Sequence, residues 1–187
     1  MEPVVLRTAR LELSVPRVGD IDAIHEACQD PDTQRYTTVP SPYERHHAEE
    51  FIPRVADQWA EGVHLTWAIR EGDVLAGTVG LYRIDAGAGE LGYWISPWSR
   101  RRGLITEASR AVLDWGFAPS GAALRRIEWR VVAGNTPSAR AASALGFRYE
   151  GLLREGIAGK TGRVDAWIAG LLATDDRTPQ PWPVLED

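Results

Sequence analysis

Cysteine is nearly absent from this 187-residue chain: Cys28 is the only one. No intrachain disulfide can form, and a cytoplasmic location is expected. Long apolar runs are lacking too, so no segment reads as a membrane span. The opening Met1-Glu2-Pro3-Val4-Val5-Leu6 has no basic start, apolar stretch or cleavage site, so no signal peptide is expected. Positive charge is in deficit: 21 Lys and Arg stand against 26 Asp and Glu, a net charge of −5. That balance argues against broad nucleic-acid binding, which leaves a basic footprint. His46 and His47 are adjacent on a predicted helix and point in different directions. No third ligand lies near in sequence, so no metal site is expected. No repeat is visible. What the chain does have is tryptophan, eight of them, which suits core and pocket walls.

The length suits one domain with a sizeable core. Leu11-Glu12-Leu13-Ser14-Val15 alternates as a half-buried strand within Leu6 to Val15. Asp20 reads as the cap of a helix carrying Ile21, Ile24 and Cys28, ended by Asp30-Pro31-Asp32. Residues 35–42 read as a loop. Ser41, followed by Pro42 at the first helical position, reads as the cap of a longer helix reaching about Glu61. Pro53 inside it predicts a kink or a break. Strands are predicted at His64–Arg70, Val74–Arg83 and Glu90–Ile95, the first two joined by Glu71-Gly72-Asp73. Then come a helix over Thr106–Phe117, a strand over Arg125–Val132 and a short helix over Ser138–Ala144. Gly146 suits the end of that helix. Phe147–Leu153 and Val164–Leu172 read as the last strands. Residues 174–187, with three prolines and little periodicity, read as a polar tail lying on the surface or partly disordered. The order predicts an α/β (α+β) domain over residues 1–173, with a mixed sheet covered by helices.

The segment from Glu90 to Phe117 carries the chemistry. It runs from a strand through Arg100-Arg101-Arg102-Gly103 into a helix. The first N–H groups of a helix lack intrahelical partners, and the helix dipole adds partial positive charge. Such a turn seats a phosphate or pyrophosphate, and three arginines beside it strengthen the expectation. A charged turn in solvent is the plainer reading of the arginines alone. A second strand-to-helix turn, Asn135-Thr136-Pro137-Ser138, follows some thirty residues later and ends in Leu145-Gly146-Phe147.

Together these two turns resemble the acyl-CoA signatures of the GNAT superfamily of N-acyltransferases. Arg100-Arg101-Arg102-Gly103-Leu104-Ile105 is similar to its pyrophosphate turn. Asn135 to Phe147 is similar to the segment lining the pantetheine. Finer likeness is to the RimJ/RimL ribosomal-protein N-terminal acetyltransferases. It is carried by Leu6-Arg7-Thr8-Ala9-Arg10-Leu11-Glu12-Leu13, Gly92-Tyr93-Trp94-Ile95, Thr106-Glu107-Ala108 and Phe147-Arg148-Tyr149-Glu150-Gly151-Leu152-Leu153-Arg154. The resemblance spans Leu6 to Leu172. Two positions depart from it. Ile105 stands where the family usually has Gly or Ala, and Ala169-Gly170 stand where it commonly has Tyr-Ser.

The resemblance implies a GNAT-like, mostly antiparallel central sheet flanked by helices. It implies acetyl-CoA or another acyl-CoA as co-substrate, with no metal. The implied CoA-binding positions are Trp94, Ile95, Arg100, Arg101, Arg102, Gly103, Leu104, Ile105, Thr106, Asn135 and Ser138. A backbone N–H near Ile95 would polarise the thioester carbonyl, and Ser138 would meet the leaving thiolate. Glu90 would take the ammonium proton. Asn135 also reads as a turn cap and Glu90 as a strand-edge charge. The implied acceptor is a primary amine, such as a protein N-terminal amine. An aminoglycoside or polyamine acceptor, or a CoA-binding module without activity, is the alternative. A homodimer is also implied, with no nucleic-acid or membrane partner.

Overall fold

The computed structural model describes residues 1–186. In chain order the elements are β1 (Leu6–Arg7), β2 (Glu12–Ser14), α1 (Ile21–Ala27), α2 (Pro31–Tyr36), α3 (Arg45–Glu61), β3 (Leu65–Glu71), β4 (Val74–Asp85) and β5 (Ala88–Ile95). They continue with α4 (Leu104–Phe117), β6 (Arg126–Val132), α5 (Thr136–Ala144), β7 (Arg148–Ala158) and β8 (Arg163–Leu172). One eight-stranded sheet has the order β1-β2-β3-β4-β5-β6-β8-β7. Every neighbouring pair is antiparallel except β5 with β6, which is parallel. The expected mixed sheet with covering helices is therefore present. No helix of the described residues is long and apolar enough to cross a membrane.

Strand alternation divides the core. Leu65, Trp67 and Ile69 of β3, with Ile127, Trp129 and Val131 of β6, belong to the larger apolar cluster, together with Leu104, Ala108 and Val112 of α4 and Ala139 and Ala142 of α5. Ala68 of β3 faces the other way, into a smaller cluster with Ile24, Cys28 and Ala48. Trp59, Trp67 and Trp115 pack together, Trp59 edge-on to Trp67 with ring centroids 4.8 Å apart. Each fully buried indole contributes about 1.5–3 kcal/mol by leaving water.

Several local expectations are corrected. Leu6 to Val15 holds two short strands, not one. Asp30-Pro31 does not only end a helix; it starts α2. Asp30 Oδ2 accepts the Thr33 N–H at 2.8 Å, with Pro31 at the first helical position. The long helix is not capped by Ser41. It starts after Glu44, whose N–H donates to His47 Nδ1 at 2.9 Å. It runs through Pro53 without a break. The segment from 174 runs over the surface but is anchored at one residue. Trp182 is 1 % exposed, its indole N–H donates to the Phe147 carbonyl at 2.9 Å, and it packs on Trp129 and Tyr149. An indole of that size is not left in water when a wall of apolar rings is within reach.

Candidate active site

The parallel pair β5–β6 makes the site. Its register ends at Leu91 opposite Trp129, although β5 continues to Ile95 and β6 to Val132. Beyond that point the two strands are no longer paired with each other, and this unpaired stretch is the slot. On its other side β5 stays paired with β4, Trp94 opposite Thr78 and Gly92 opposite Gly80. The Ser96 N–H donates to the Ala76 carbonyl at 2.8 Å. Antiparallel pairing alternates, so residues 92, 94 and 96 turn their backbone groups toward β4. The N–H groups of Tyr93 and Ile95 therefore face the slot. The N–H at Ile95, expected to polarise the thioester carbonyl, is one of these two.

Side chains alternate in the same way. Tyr93 lies on the face covered by α4 and α5. Its hydroxyl is 2.9 Å from Ser138 Oγ and 3.2 Å from the Ser138 carbonyl, and it accepts the Trp129 indole N–H at 3.3 Å. Burial pushes the Tyr93 phenol up, and the Ser138 and Trp129 hydrogen bonds oppose that shift only in part. Ser138 sits in the first turn of α5, half-buried. Asn135 caps that turn, its Oδ1 accepting the Ser138 N–H at 3.3 Å.

Glu90 is on the opposite face. Its Oε2 accepts from Arg83 at 2.7 Å and from Arg130 Nε and Nη2 at 3.0 and 2.6 Å. Its Oε1 has no hydrogen-bond partner among the described residues. Sheet alternation thus keeps Glu90 and Ser138 apart, one on each side of the slot. Trp94 shares the Glu90 face and packs against the smaller apolar cluster. On the same face Arg126 pairs with Glu128 at 3.1 Å and with Glu150 at 2.6 Å. A Cβ at Gly170 would meet that Arg126–Glu150 pair at 2.5 Å. An ion pair therefore fills the place where the family commonly has a hydroxyl residue.

The arginine turn follows the C-terminal end of β5, the end at which the slot opens. Gly103, at φ 74°, takes a left-handed conformation and delivers the chain into α4. The N–H groups from Arg101 to Thr106 have no hydrogen-bond acceptor among the described residues. That cluster of open donors is what an anion seat requires. The guanidinium groups divide differently from expectation. Arg100 is drawn away to Asp30, with Thr33 Oγ1 at 3.3 Å and Asp32 at 3.7 Å. Arg102 pairs with Glu71 at 2.7 Å, and its carbonyl accepts from Arg10 at 3.1 Å. Arg101 is exposed and has no carboxylate partner among the described residues. Ile105 turns its side chain against the larger core cluster, so its branching does not crowd the backbone seat. Leu104 is buried in that core, while Thr106 is half-buried in the first turn.

Tyr93 and Trp129 are the residues that sequence reasoning missed. Tyr93 shares the core-facing side of β5 with Leu91, and a phenol on a core face needs a polar partner. Among the described residues, no group of three or more His, Cys, Asp and Glu is placed to hold a metal ion.

A splayed parallel pair beside an open turn at a helix start defines the class: an acyltransferase of the GNAT type. The chain belongs to that family, since residues 10–148 match the model of the acetyltransferase (GNAT) domain. It is 31% identical over 171 residues to the uncharacterized N-acetyltransferase p20 of Bacillus licheniformis, covering 89% of this chain and 95% of that one. It is 30% identical over 155 residues to the uncharacterized N-acetyltransferase YoaA of Bacillus subtilis, covering 81% and 86%. The fold is shared with RimL, a ribosomal L7/L12 alpha-N-protein acetyltransferase solved with coenzyme A. The TM-score is 0.81 at 16% identity, over 90% of this chain and 98% of that one. It is shared as well with Mycobacterium smegmatis RimJ solved with CoA-disulfide. There the TM-score is 0.79 at 21% identity, over 92% and 90%.

Proposed function

We propose that this enzyme transfers an acetyl group from acetyl-CoA to the α-amine of a peptide or protein by direct attack. The observation that carries the reading is the slot itself, with the Tyr93 and Ile95 N–H groups turned into it and Glu90 and Ser138 on its two faces. The open N–H groups from Arg101 to Thr106 fit a pyrophosphate, and Arg101 adds the free positive charge. Acetyl-CoA supplies an activated thioester. The residues of this chain bind it, orient it and handle the protons. The Ile95 N–H donates to the carbonyl oxygen as negative charge develops there. Glu90 Oε1 accepts the proton of the attacking nitrogen, while Arg83 and Arg130 hold Oε2 in place. Ser138 meets the leaving sulfur. No covalent acyl-enzyme is needed, and Cys28 is buried among Ile24, Tyr43 and Ala48.

Two arguments favour an α-amine. An α-ammonium group has a pKa of about 7.7–8.0 and a lysine ammonium about 10.4. A carboxylate acceptor suits the group that gives up its proton more readily. RimL, which shares the fold, is described as an alpha-N-protein acetyltransferase. The test is release of free thiol from acetyl-CoA by the purified protein. Peptides beginning with Ala or Ser are compared with aminoglycosides and polyamines. Turnover restricted to peptides supports the reading, and turnover restricted to small amines replaces the acceptor. Tight CoA binding with no turnover of any amine refutes the enzyme.

A further inference from the structure

We infer that Tyr93 is a positioning residue that sets the Ser138 hydroxyl with its proton facing the slot. The inference rests on the reading above, in which Ser138 meets the leaving sulfur. It starts from a count of protons in the Trp129–Tyr93–Ser138 group. An indole N–H only donates, so one lone pair of the Tyr93 oxygen is committed to Trp129. The single Tyr93 proton then goes to Ser138, to Oγ at 2.9 Å or to the carbonyl at 3.2 Å. If it goes to Oγ, the serine keeps its own proton free to donate elsewhere. If it goes to the carbonyl, the serine proton turns back onto the tyrosine and is lost to the slot. A sulfur anion developing in the slot selects the first arrangement, because only that one offers it a proton.

The place of the group supports this role. The last backbone pairing of β5 with β6 is Leu91 with Trp129. Just beyond it, the two strands are joined by the Trp129–Tyr93 side-chain hydrogen bond instead. Ser138 is tied to the same oxygen from α5, with its N–H held by Asn135. The hydroxyl is therefore anchored at the point where the slot opens. Tyr93 keeps its own proton throughout, since burial disfavours the phenolate. Its contribution is orientation and polarisation of a neighbour.

The experiment uses the full chain, acetyl-CoA and an amine that supports turnover. Tyr93→Phe, Ser138→Ala and the double variant are compared with wild type, and thermal melts check the fold. Tyr93→Phe is expected to lower kcat about tenfold while KM for acetyl-CoA stays within about twofold. In the Ser138→Ala background the same change is expected to lower kcat less than about twofold, because the residue it acts through is gone. Site-specific 3-fluorotyrosine at position 93 keeps shape and hydrogen bond, and restores kcat to within about twofold of wild type. Equal losses in both backgrounds overturn the inference. So does a rise in KM with kcat unchanged, or a kcat loss from Ser138→Ala with none from Tyr93→Phe. If Ser138→Ala leaves kcat at wild type, the assignment of Ser138 fails and the role of Tyr93 falls with it. If no amine supports turnover in wild type, the acetyl-transfer reading fails as a whole.

Discussion

Glu90 Oε2 is held by Arg83 and Arg130, while Oε1 is open. Glutamine at this position keeps an oxygen for the two arginines and loses the ability to take a proton. Glu90→Gln is therefore expected to lower kcat roughly 10²-fold or more with little change in KM for acetyl-CoA, measured by thiol release. Wild-type kcat in this variant would remove Glu90 as the base. The arginines of the turn divide by their partners. Arg101 has no carboxylate partner among the described residues, so Arg101→Ala should raise KM for acetyl-CoA about fivefold, near 1 kcal/mol, and leave the melting temperature unchanged. The placements legible from sequence were those that depend on local order: Glu90 on its strand, Asn135 and Ser138 in their turn. Tyr93 was not legible because its partners lie 36 and 45 positions away. The ion pairing of Arg100 with Asp30 spans 70 positions, and no local pattern announces it.

The elements are braced by two carboxylates, one on each side of the arginine turn. Burial alone would raise Asp30, but the Arg100 guanidinium and the Thr33 N–H and hydroxyl outweigh it and hold the carboxyl below its ordinary value. Burial would likewise raise Glu107, and the Thr8 hydroxyl with the Arg10 side chain and N–H hold it low. A carboxyl depressed in the folded state favours folding fully above the unfolded value, near 3.8 for Asp and 4.5 for Glu. That contribution disappears as pH falls through the lower folded value. Stability of the wild type should therefore drop below about pH 4. Asp30→Asn should destabilise by about 1–3 kcal/mol at neutral pH and flatten the acid limb, read from urea titrations between pH 3 and 7. An unchanged acid limb would deny Asp30 this role. The same aspartate explains why α2 was hard to read. Asp-Pro marks a helix stop as readily as a helix cap with proline in its first turn, and the Thr33 N–H decides between them. The start of α3 was misplaced for a similar reason. Ser41-Pro42 has a cap signature, but the reciprocal Glu44–His47 bonds satisfy the orphan donors three residues later.

At the scale of the molecule, the order of strands and helices was enough to predict a mixed sheet covered by helices, and alternation along each strand fixes which face is buried. It does not fix neighbours, so the placement of β8 between β6 and β7 was not readable. Nor was the docking of the C-terminal segment, whose prolines and polar residues obscured one informative residue, Trp182. That segment passes so close to the end of α5 that a Cβ at Gly146 would meet Arg177 Cα at 2.5 Å. Trp182 then closes the larger core, its ring centroid 5.3 Å from Trp129, the residue that donates to Tyr93. Removing it opens a cavity behind the slot. Trp182→Ala should destabilise the fold by about 3–5 kcal/mol and lower the melting temperature by about 10 °C. Trp182→Phe keeps most of the ring but loses the hydrogen bond to the Phe147 carbonyl, and should cost about 1 kcal/mol beyond its smaller area. The Ala variant should also lower kcat in the protein that remains folded, since the wall behind Trp129 is gone. A wild-type melting curve for Trp182→Ala would mean that the C-terminal segment adds nothing to the core.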